Sequence, residues 1–297
     1  MSTHHQPDSF SGVGGKASAY LLATPATAIV ALIVLVPALQ LVRYSLNHFD
    51  PVELMQTALT GENYWKFFTD PYYLSVLWTT LKVSILCSVL ALVFGFPVAY
   101  RLAKSQSRYK SLLIVLIVFP LLVGNVVRAA GWMVILGNAG FVNAVLLHLG
   151  FIQTPLRLMY TPLAVILGTT GVVLPYMILT LQSVLEGVDL SVEEAARNLG
   201  ASAITSFFRI VLPIAVPGIA AGTMLVLILC MNAYATPVLL GGTGLVMMAP
   251  TVYDQISKAN DWPFGSALAI ILMIVTLGVA VVSNSFIQRK YAKTMQS

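Results

Sequence analysis

Residues 191–213 read Ser191-Val-Glu-Glu-Ala-Ala-Arg-Asn-Leu-Gly200, then Ala201-Ser-Ala-Ile-Thr-Ser-Phe-Phe-Arg-Ile210, then Val211-Leu-Pro213. The first half is built like the surface of a soluble protein, in a chain of 297 residues that is 58% hydrophobic and only 9% charged. At the centre of a bilayer Glu193, Glu194 and Arg197 would cost roughly 2.5–3.5 kcal/mol each, and Asn198 adds to the penalty. The segment therefore belongs in water or in a protein interface, and a soluble partner is expected there.

On either side the chain turns apolar. Soluble domains carry about 25% charged residues, so this composition, with a mean hydropathy of +0.87, places the chain in the membrane class. Six runs are long enough to cross a hydrocarbon core of about 30 Å: residues 20–42, 75–100, 111–136, 162–185, 214–240 and 266–287. The expected fold class is an all-α membrane protein, a bundle of six transmembrane helices over residues 20–287, with tails at 1–19 and 288–297. With both termini cytoplasmic, Lys16, Arg101, Lys104, Arg108, Lys110, Arg197, Arg209, Arg289, Lys290 and Lys293 lie inside. Only Arg43, Lys66, Arg157 and Lys258 then lie in outside loops. Lysine and arginine favour the cytoplasmic side, which puts both tails and residues 191–213 there. The net charge of +5 follows from this juxtamembrane excess, and no nucleic-acid partner is expected. Residues 20–42 exceed the 7–15-residue apolar core of a signal peptide and no small-x-small cleavage site follows, so the run reads as a retained helix. Cys87 and Cys230 fall within runs, where a small apolar role outweighs a disulfide or a metal pair.

Between the first two runs, Asn63-Tyr-Trp-Lys-Phe-Phe68 with Tyr72-Tyr73 predicts a short helix lying in the outer interface, since Trp and Tyr favour the headgroup level. Gly140-Phe-Val-Asn-Ala-Val-Leu-Leu-His-Leu149 predicts a second surface helix. In the last external loop, residues 241–265, the run Gly241-Gly-Thr-Gly244 suggests mobile backbone, though a plain turn explains it equally. Two catalytic readings fail. Gly14-Gly-Lys-Ala-Ser18 has Ala17 where a phosphate-binding loop needs a hydroxyl, and Phe10 stands where its first glycine belongs. His4, His5, His48 and His148 all lie outside the runs, which leaves an intramembrane protease without a base or zinc ligands. No catalytic residue, metal site or bound cofactor is expected in this chain.

The 191–213 segment carries its own local signals. Ser191 and Glu194, three residues apart, form a capping box that starts a helix. Val192, Ala195, Ala196 and Leu199 recur at helical spacing as one small apolar stripe, with Glu193 and Arg197 paired at i, i+4 on the opposite face. Gly200 suits a left-handed helix end. A second amphipathic helix, residues 202–212, returns Phe207, Phe208, Ile210 and Val211 to the membrane, where Pro213 opens the next run. A helix, a glycine corner and a helix fit insertion into a partner's groove; by spacing alone an ordinary cytoplasmic hairpin fits as well.

Glu194-Ala195-Ala196, then Gly200 after three residues, then Ile210-x-Leu212-Pro213 after nine, resemble at every position the coupling motif of permease subunits in binding-protein-dependent type I ABC importers. The resemblance covers nearly the whole chain and implies the type I ABC importer permease fold, with a cytoplasmic coupling helix, in a bacterial inner membrane. It implies that Glu193, Glu194, Ala195, Ala196, Arg197, Gly200 and Ala201 meet an ATP-hydrolysing subunit, while Ile210, Leu212 and Pro213 tie that helix to the fifth run. ATP and Mg would be bound by the partner ATPases. The implied partners are a second, different permease, two cytoplasmic ATPase subunits, a periplasmic or extracellular substrate-binding protein and the lipid bilayer. Val127-Arg-Ala-Ala-Gly-Trp132, Gly140-Phe-Val-Asn143, Pro155-Leu-Arg-Leu-Met159 and Asp261-Trp-Pro-Phe-Gly265 further resemble the spermidine/putrescine branch, which implies a polyamine cargo. The same branch includes carriers of other small nitrogen compounds, opines, aminoethylphosphonate and iron.

Polar or aromatic groups at membrane depth can replace hydration or make cation–π contacts, which nominates Asn125, Trp132, Tyr176, Asn232 and Tyr234 as lining of a translocation pathway. Arg128 lies deep in the third run as a further pathway candidate. The branch resemblance includes an Arg at this place, which favours a structural role such as capping a helix end. Gly218 and Gly222 make a small-residue face for helix packing, and Pro217 with Pro237 can bend the fifth run. The rival reading is an ATP-independent secondary transporter or channel, which needs ionisable groups for ion coupling. The runs hold Lys82 and Arg128 but no Asp or Glu.

Overall fold

The computed structural model describes residues 14–187 and 191–294. Among these the chain is helical, with one isolated bridge between His48 and Gln56. The helices are α1 (Gly14–Ser45), α2 (Glu62–Thr69), α3 (Pro71–Lys104), α4 (Lys110–Leu122), α5 (Asn125–Leu136), α6 (Phe141–His148), α7 (Pro162–Glu186), α8 (Ser191–Asn198), α9 (Ala203–Ser206), α10 (Leu212–Met231), α11 (Met248–Ser257) and α12 (Trp262–Thr294). Six described stretches are long and apolar enough to cross a membrane: Thr27–Ser45, Pro71–Lys104, Asn125–His148, Pro162–Glu186, Ala203–Met231 and Trp262–Ser283. That is the number hydropathy predicts, but the third is displaced: it takes in α6, read from the sequence as a surface helix, and leaves α4 as a shorter apolar helix. Both ends are more helical than expected: α1 starts inside the stretch read as a tail, and α12 runs on to Thr294.

The helix starts follow from capping chemistry. Asp70 accepts the Tyr72 N–H at 2.9 Å, with Pro71 in the first turn of α3. Thr161 accepts the Ala164 N–H at 3.3 Å ahead of α7, and Asp261 accepts the Phe264 N–H at 2.9 Å ahead of α12. Each satisfies a backbone donor that the helix cannot.

At the centre α3, α7 and α10 pack on one another. Small residues set their approach: a Cβ on Gly218 would fall 2.8 Å from Val184 Cβ, and one on Gly222 the same distance from Met177 Sδ. The resulting core includes Cys87, Ala91, Val173, Met177, Leu181, Ala215, Val226 and Cys230; both cysteines are free and buried. A second core, around Phe67, Tyr73, Met248, Phe264 and Leu268, joins α2, α3, α11 and α12. α1 packs on α12.

Four expectations need correction. The third run is not one helix: α4 ends at Leu122, Val123 and Gly124 take extended angles, and α5 begins at Asn125. Pro120 has already removed one backbone donor from the last turn of α4, so the ladder is weakest there. The fifth run stops at Met231. Asn232 turns its side-chain amide back onto the Ile228 carbonyl at 2.9 Å, and helical winding resumes only at Ala235, widening into a π turn over Pro237–Gly241. Residues 241–265 are not a free loop. Met247 and Met248 are fully buried, and the Met248 N–H bonds the Thr80 hydroxyl at 2.8 Å. Thr80 lies about 13 Å along α3 from Pro71 at 1.5 Å per residue, so the chain dips back to that depth and α11 climbs out again. Finally, α2 does not merely lie in the interface: Phe67 is fully buried, while Trp65 and Phe68 stay exposed.

Candidate coupling segment and transport cavity

The 191–213 segment forms α8, a corner and α9, which continues through a π turn at Phe207–Val211 into α10. The side chains of Ser191, Val192 and Glu194 lie outside the described residues, and with them the expected capping box. The far end of α8 is explicit. Gly200 sits at φ +91°, its N–H bonds Arg197 O at 3.0 Å, and the Ala201 N–H bonds Ala196 O at 3.0 Å. These are the paired bonds of a left-handed glycine terminus. Nothing lies within 4 Å of a Cβ built on Gly200, so backbone conformation rather than space demands the glycine. Ser202 then caps α9 through the Thr205 N–H at 3.2 Å. Ile210, Leu212 and Pro213 are half-buried where the segment joins α10.

Glu193, expected among the residues that meet the ATPase subunit, is turned the other way. Glu193 pairs with Arg197 Nε at 3.7 Å as expected, yet it is only 5% exposed and faces its own membrane domain. Its carboxylate accepts the Tyr100 hydroxyl at 2.9–3.0 Å and is ion-paired with Lys104. Burial alone would raise its pKa. Hydrogen bonds from Lys104 and Tyr100, with the charges of Lys104 and Arg197, outweigh burial and hold the carboxyl below its ordinary value. Meanwhile Ala195 is exposed, Ala196 half-buried and Leu199 90% exposed, and Ile204 and Phe208 beyond the corner are exposed as well. Glu193 is turned inward, while Ala195, Arg197 and Leu199 face out. Tyr100 also stacks edge-on against Phe207, centroids 5.9 Å apart, and Phe96 does so at 5.5 Å. One end of α3 therefore grips both α8 and the turn leading to α10. Tyr100 and Lys104 carried no sequence signal for this role, because Lys104 reads as an ordinary inside cation. Lys110 and Glu186, 2.7 Å apart, tie α4 to the same end of α7.

Where the two helix breaks face α7, a cavity of about 450 Å³ opens, lined in part by Asn125, Thr169, Tyr176, Asn232, Tyr234 and Thr236. Four of the residues nominated for the pathway meet here. Trp132 does not: its indole packs on Gly171, where a Cβ would come within 2.7 Å of the ring. Arg128 bonds the Asn125 side chain and the Val172 carbonyl, the latter at 3.3 Å, so it fastens the start of α5 to α7. Two amides, two hydroxyls and two phenol rings interrupt an otherwise aliphatic lining, which suits a ligand bearing several N–H donors along an apolar chain.

Two of the stretches quoted above are scaffold. Buried Asn143 donates to Gly137 O and Leu156 O at 3.0 Å and accepts the Leu156 N–H at 2.8 Å. Asp261, besides capping α12, meets Lys66 at 3.7 Å, and the Lys66 ammonium lies 4.0 Å from the Phe264 ring centroid.

A family model described as "Binding-protein-dependent transport system inner membrane component" matches residues 88–293. The chain is 35% identical over 260 residues to the spermidine/putrescine transport system permease protein PotB of Haemophilus influenzae, covering 86% of this chain and 91% of that one. To PotB of Escherichia coli K12 it is 36% identical over 244 residues, 82% and 88% of the two chains. In fold it is similar to a chain of a bacterial alginate ABC transporter solved with an alginate-bound periplasmic protein, with a TM-score of 0.73 at 17% identity over 93% of this chain and 96% of that one.

Proposed function

The chain belongs to the family of inner-membrane components of binding-protein-dependent transport systems, and from that premise we propose that it forms half of the pathway of an ATP-driven polyamine importer and couples it to cytoplasmic ATPase subunits. The observation that carries the coupling is the way α8 is seated. It anchors Glu193 to its own membrane domain and leaves Ala195 and Leu199 exposed, a small apolar face that fits a partner's groove. The polyamine cargo is supported by the relatives' names and by the two amides and two phenol rings set into the cavity's aliphatic lining.

In this reading closure of the ATPase pair displaces α8. Glu193 delivers the displacement to α3 through Tyr100 and Lys104, and Phe207 carries it toward α10, so the two helices that flank α7 move together. ATP binding favours the outward-open cavity and accepts cargo from a binding protein; hydrolysis restores the inward-open state. Each ligand acts only through its different affinity for the two states. ATP and Mg are held by the partner subunits, this chain supplies no catalytic group, a second permease completes the cavity, and both termini and α8 face the cytoplasm. The test is reconstitution with the neighbouring subunits in proteoliposomes. ATP-dependent uptake of labelled spermidine or putrescine that requires a binding protein is expected; uptake without any ATPase subunit overturns the reading.

A further inference from the structure

At the edge of the cavity, Tyr234 stands beside side chains that have no role so far. Tyr234, in the break after α10, and Tyr253, on α11, have ring centroids 4.8 Å apart and planes inclined by 52°. The two residues are 38% and 45% exposed, and Tyr234 lines the cavity alongside Asn232 and Tyr176. Next along α11, Asp254 is paired with the Lys258 ammonium at 2.8 Å, both side chains well exposed. Asp254 follows Tyr253 in α11 and holds Lys258, so the four side chains share one locality. The other carboxylate nearby in sequence, Asp261, is buried, caps α12 and already meets Lys66; Asp254 is committed to nothing but an exposed ion pair, of a kind that contributes little.

An alkylammonium is held by aromatic faces together with a carboxylate, in a place wet enough that its dehydration is incomplete. We propose that Tyr234, Tyr253 and Asp254 receive one ammonium end of a linear polyamine at the cavity entrance, with Lys258 as the resident ammonium that the cargo displaces. The exchange replaces one ammonium by another at the carboxylate, so Asp254 is not left unpaired, and the displaced Lys258 ammonium, already largely exposed, turns to water. Beyond the ring pair, Asn125 and Asn232 offer amide oxygens to the N–H donors that follow. The inference rests on the polyamine reading above.

The whole transporter with its binding protein, in proteoliposomes, tests it with spermidine as probe. Tyr253→Leu and Asp254→Asn are expected to lower uptake about five- to tenfold, the scale of one cation–π or charge contact. Tyr253→Phe keeps near-normal uptake, because the ring face and not the hydroxyl is used, and Lys258→Gln keeps or raises it. Acylation of Lys258 by an external amine reagent, followed by mass spectrometry, should increase when spermidine is added to the wild type and be high and insensitive to spermidine in Asp254→Asn. Wild-type uptake that neither Tyr253→Leu nor Asp254→Asn reduces overturns the station, as does a loss in Lys258→Gln equal to that in Asp254→Asn, which marks a merely structural ion pair. A wild-type transporter that moves no polyamine at all refutes the cargo reading itself.

Discussion

Glu193→Ala removes one buried carboxylate and strands the donors that face it. Hydrogen bonds to a charged group contribute about 1.5–3 kcal/mol each, and two are lost, from Tyr100 and Lys104. The Lys104 side chain is 30% exposed and can turn to water, which cuts its share toward the roughly 1 kcal/mol of a surface pair; Arg197, more exposed still, adds little. The net cost is about 2–3 kcal/mol, a fall of about 30- to 150-fold in the docked population of α8. An eight-residue helix is too short to persist undocked, so hydrogen exchange of amides 195–201 in nanodiscs should accelerate by that factor while α7 stays protected. Glu193→Gln keeps the shape and one acceptor and should land between, at about fivefold. The pH dependence has a definite sign. Because the folded carboxyl lies below its ordinary value, the dock is fully present above about pH 4.3, the unfolded value. It is lost as pH falls through the lower folded value. Exchange in Glu193→Ala within twofold of the wild type would show that α8 is held by other contacts and would remove the proposed lever.

Three further outcomes are expected. Gly218→Ala should lower the detergent unfolding temperature more than Gly222→Ala, because the added methyl meets the stiff Val184 side chain in the first case and the flexible end of Met177 in the second; equal effects would argue against tight α7–α10 packing. Gly200→Asn should retain coupling, since Asn tolerates a positive φ, whereas Gly200→Val costs at least about 1–2 kcal/mol of backbone strain and should raise ATP consumed per cargo imported; unchanged stoichiometry in the Val variant removes Gly200 from the coupling path. Asn143→Leu leaves the Gly137 and Leu156 backbone groups unpaired and should destabilise the 150–158 loop by about 3 kcal/mol, read as faster tryptic cleavage at Arg157; wild-type cleavage would refute the pinning role.

Much of this architecture is legible in the chain because its causes are local. Asp70-Pro71 and Thr161-Pro162 announce helix starts through chemistry contained within four residues, and apolar length alone locates the spans. The corner at Gly200 is equally local. What hydropathy hides is a break inside an apolar run: Val123-Gly124 and Asn232-Ala233-Tyr234 alter winding without altering composition enough to register. Four of the cavity residues were nevertheless reachable, because an amide or a phenol at membrane depth is conspicuous. Trp132 satisfies the same criterion and packs elsewhere, since an aromatic ring serves a glycine notch as well as a cavity. The inward turn of Glu193 was out of reach: its partners lie 93 and 89 residues away, and helical periodicity records which residues share a face but not which neighbour that face will meet.

The Thr80 hydroxyl, buried in α3, donates to Val76 O at 2.9 Å and accepts the Met248 N–H at 2.8 Å. An engineer ranking substitutions by hydropathy would choose Thr80→Val, nearly identical in shape and better suited to lipid. Valine, however, orphans a backbone donor where no water can replace the acceptor, and the two segments so unlinked are 168 residues apart. Optimising this span as a hydrocarbon rod would therefore erode the seat of α11, so the bundle itself sets a limit on how apolar its helices can become.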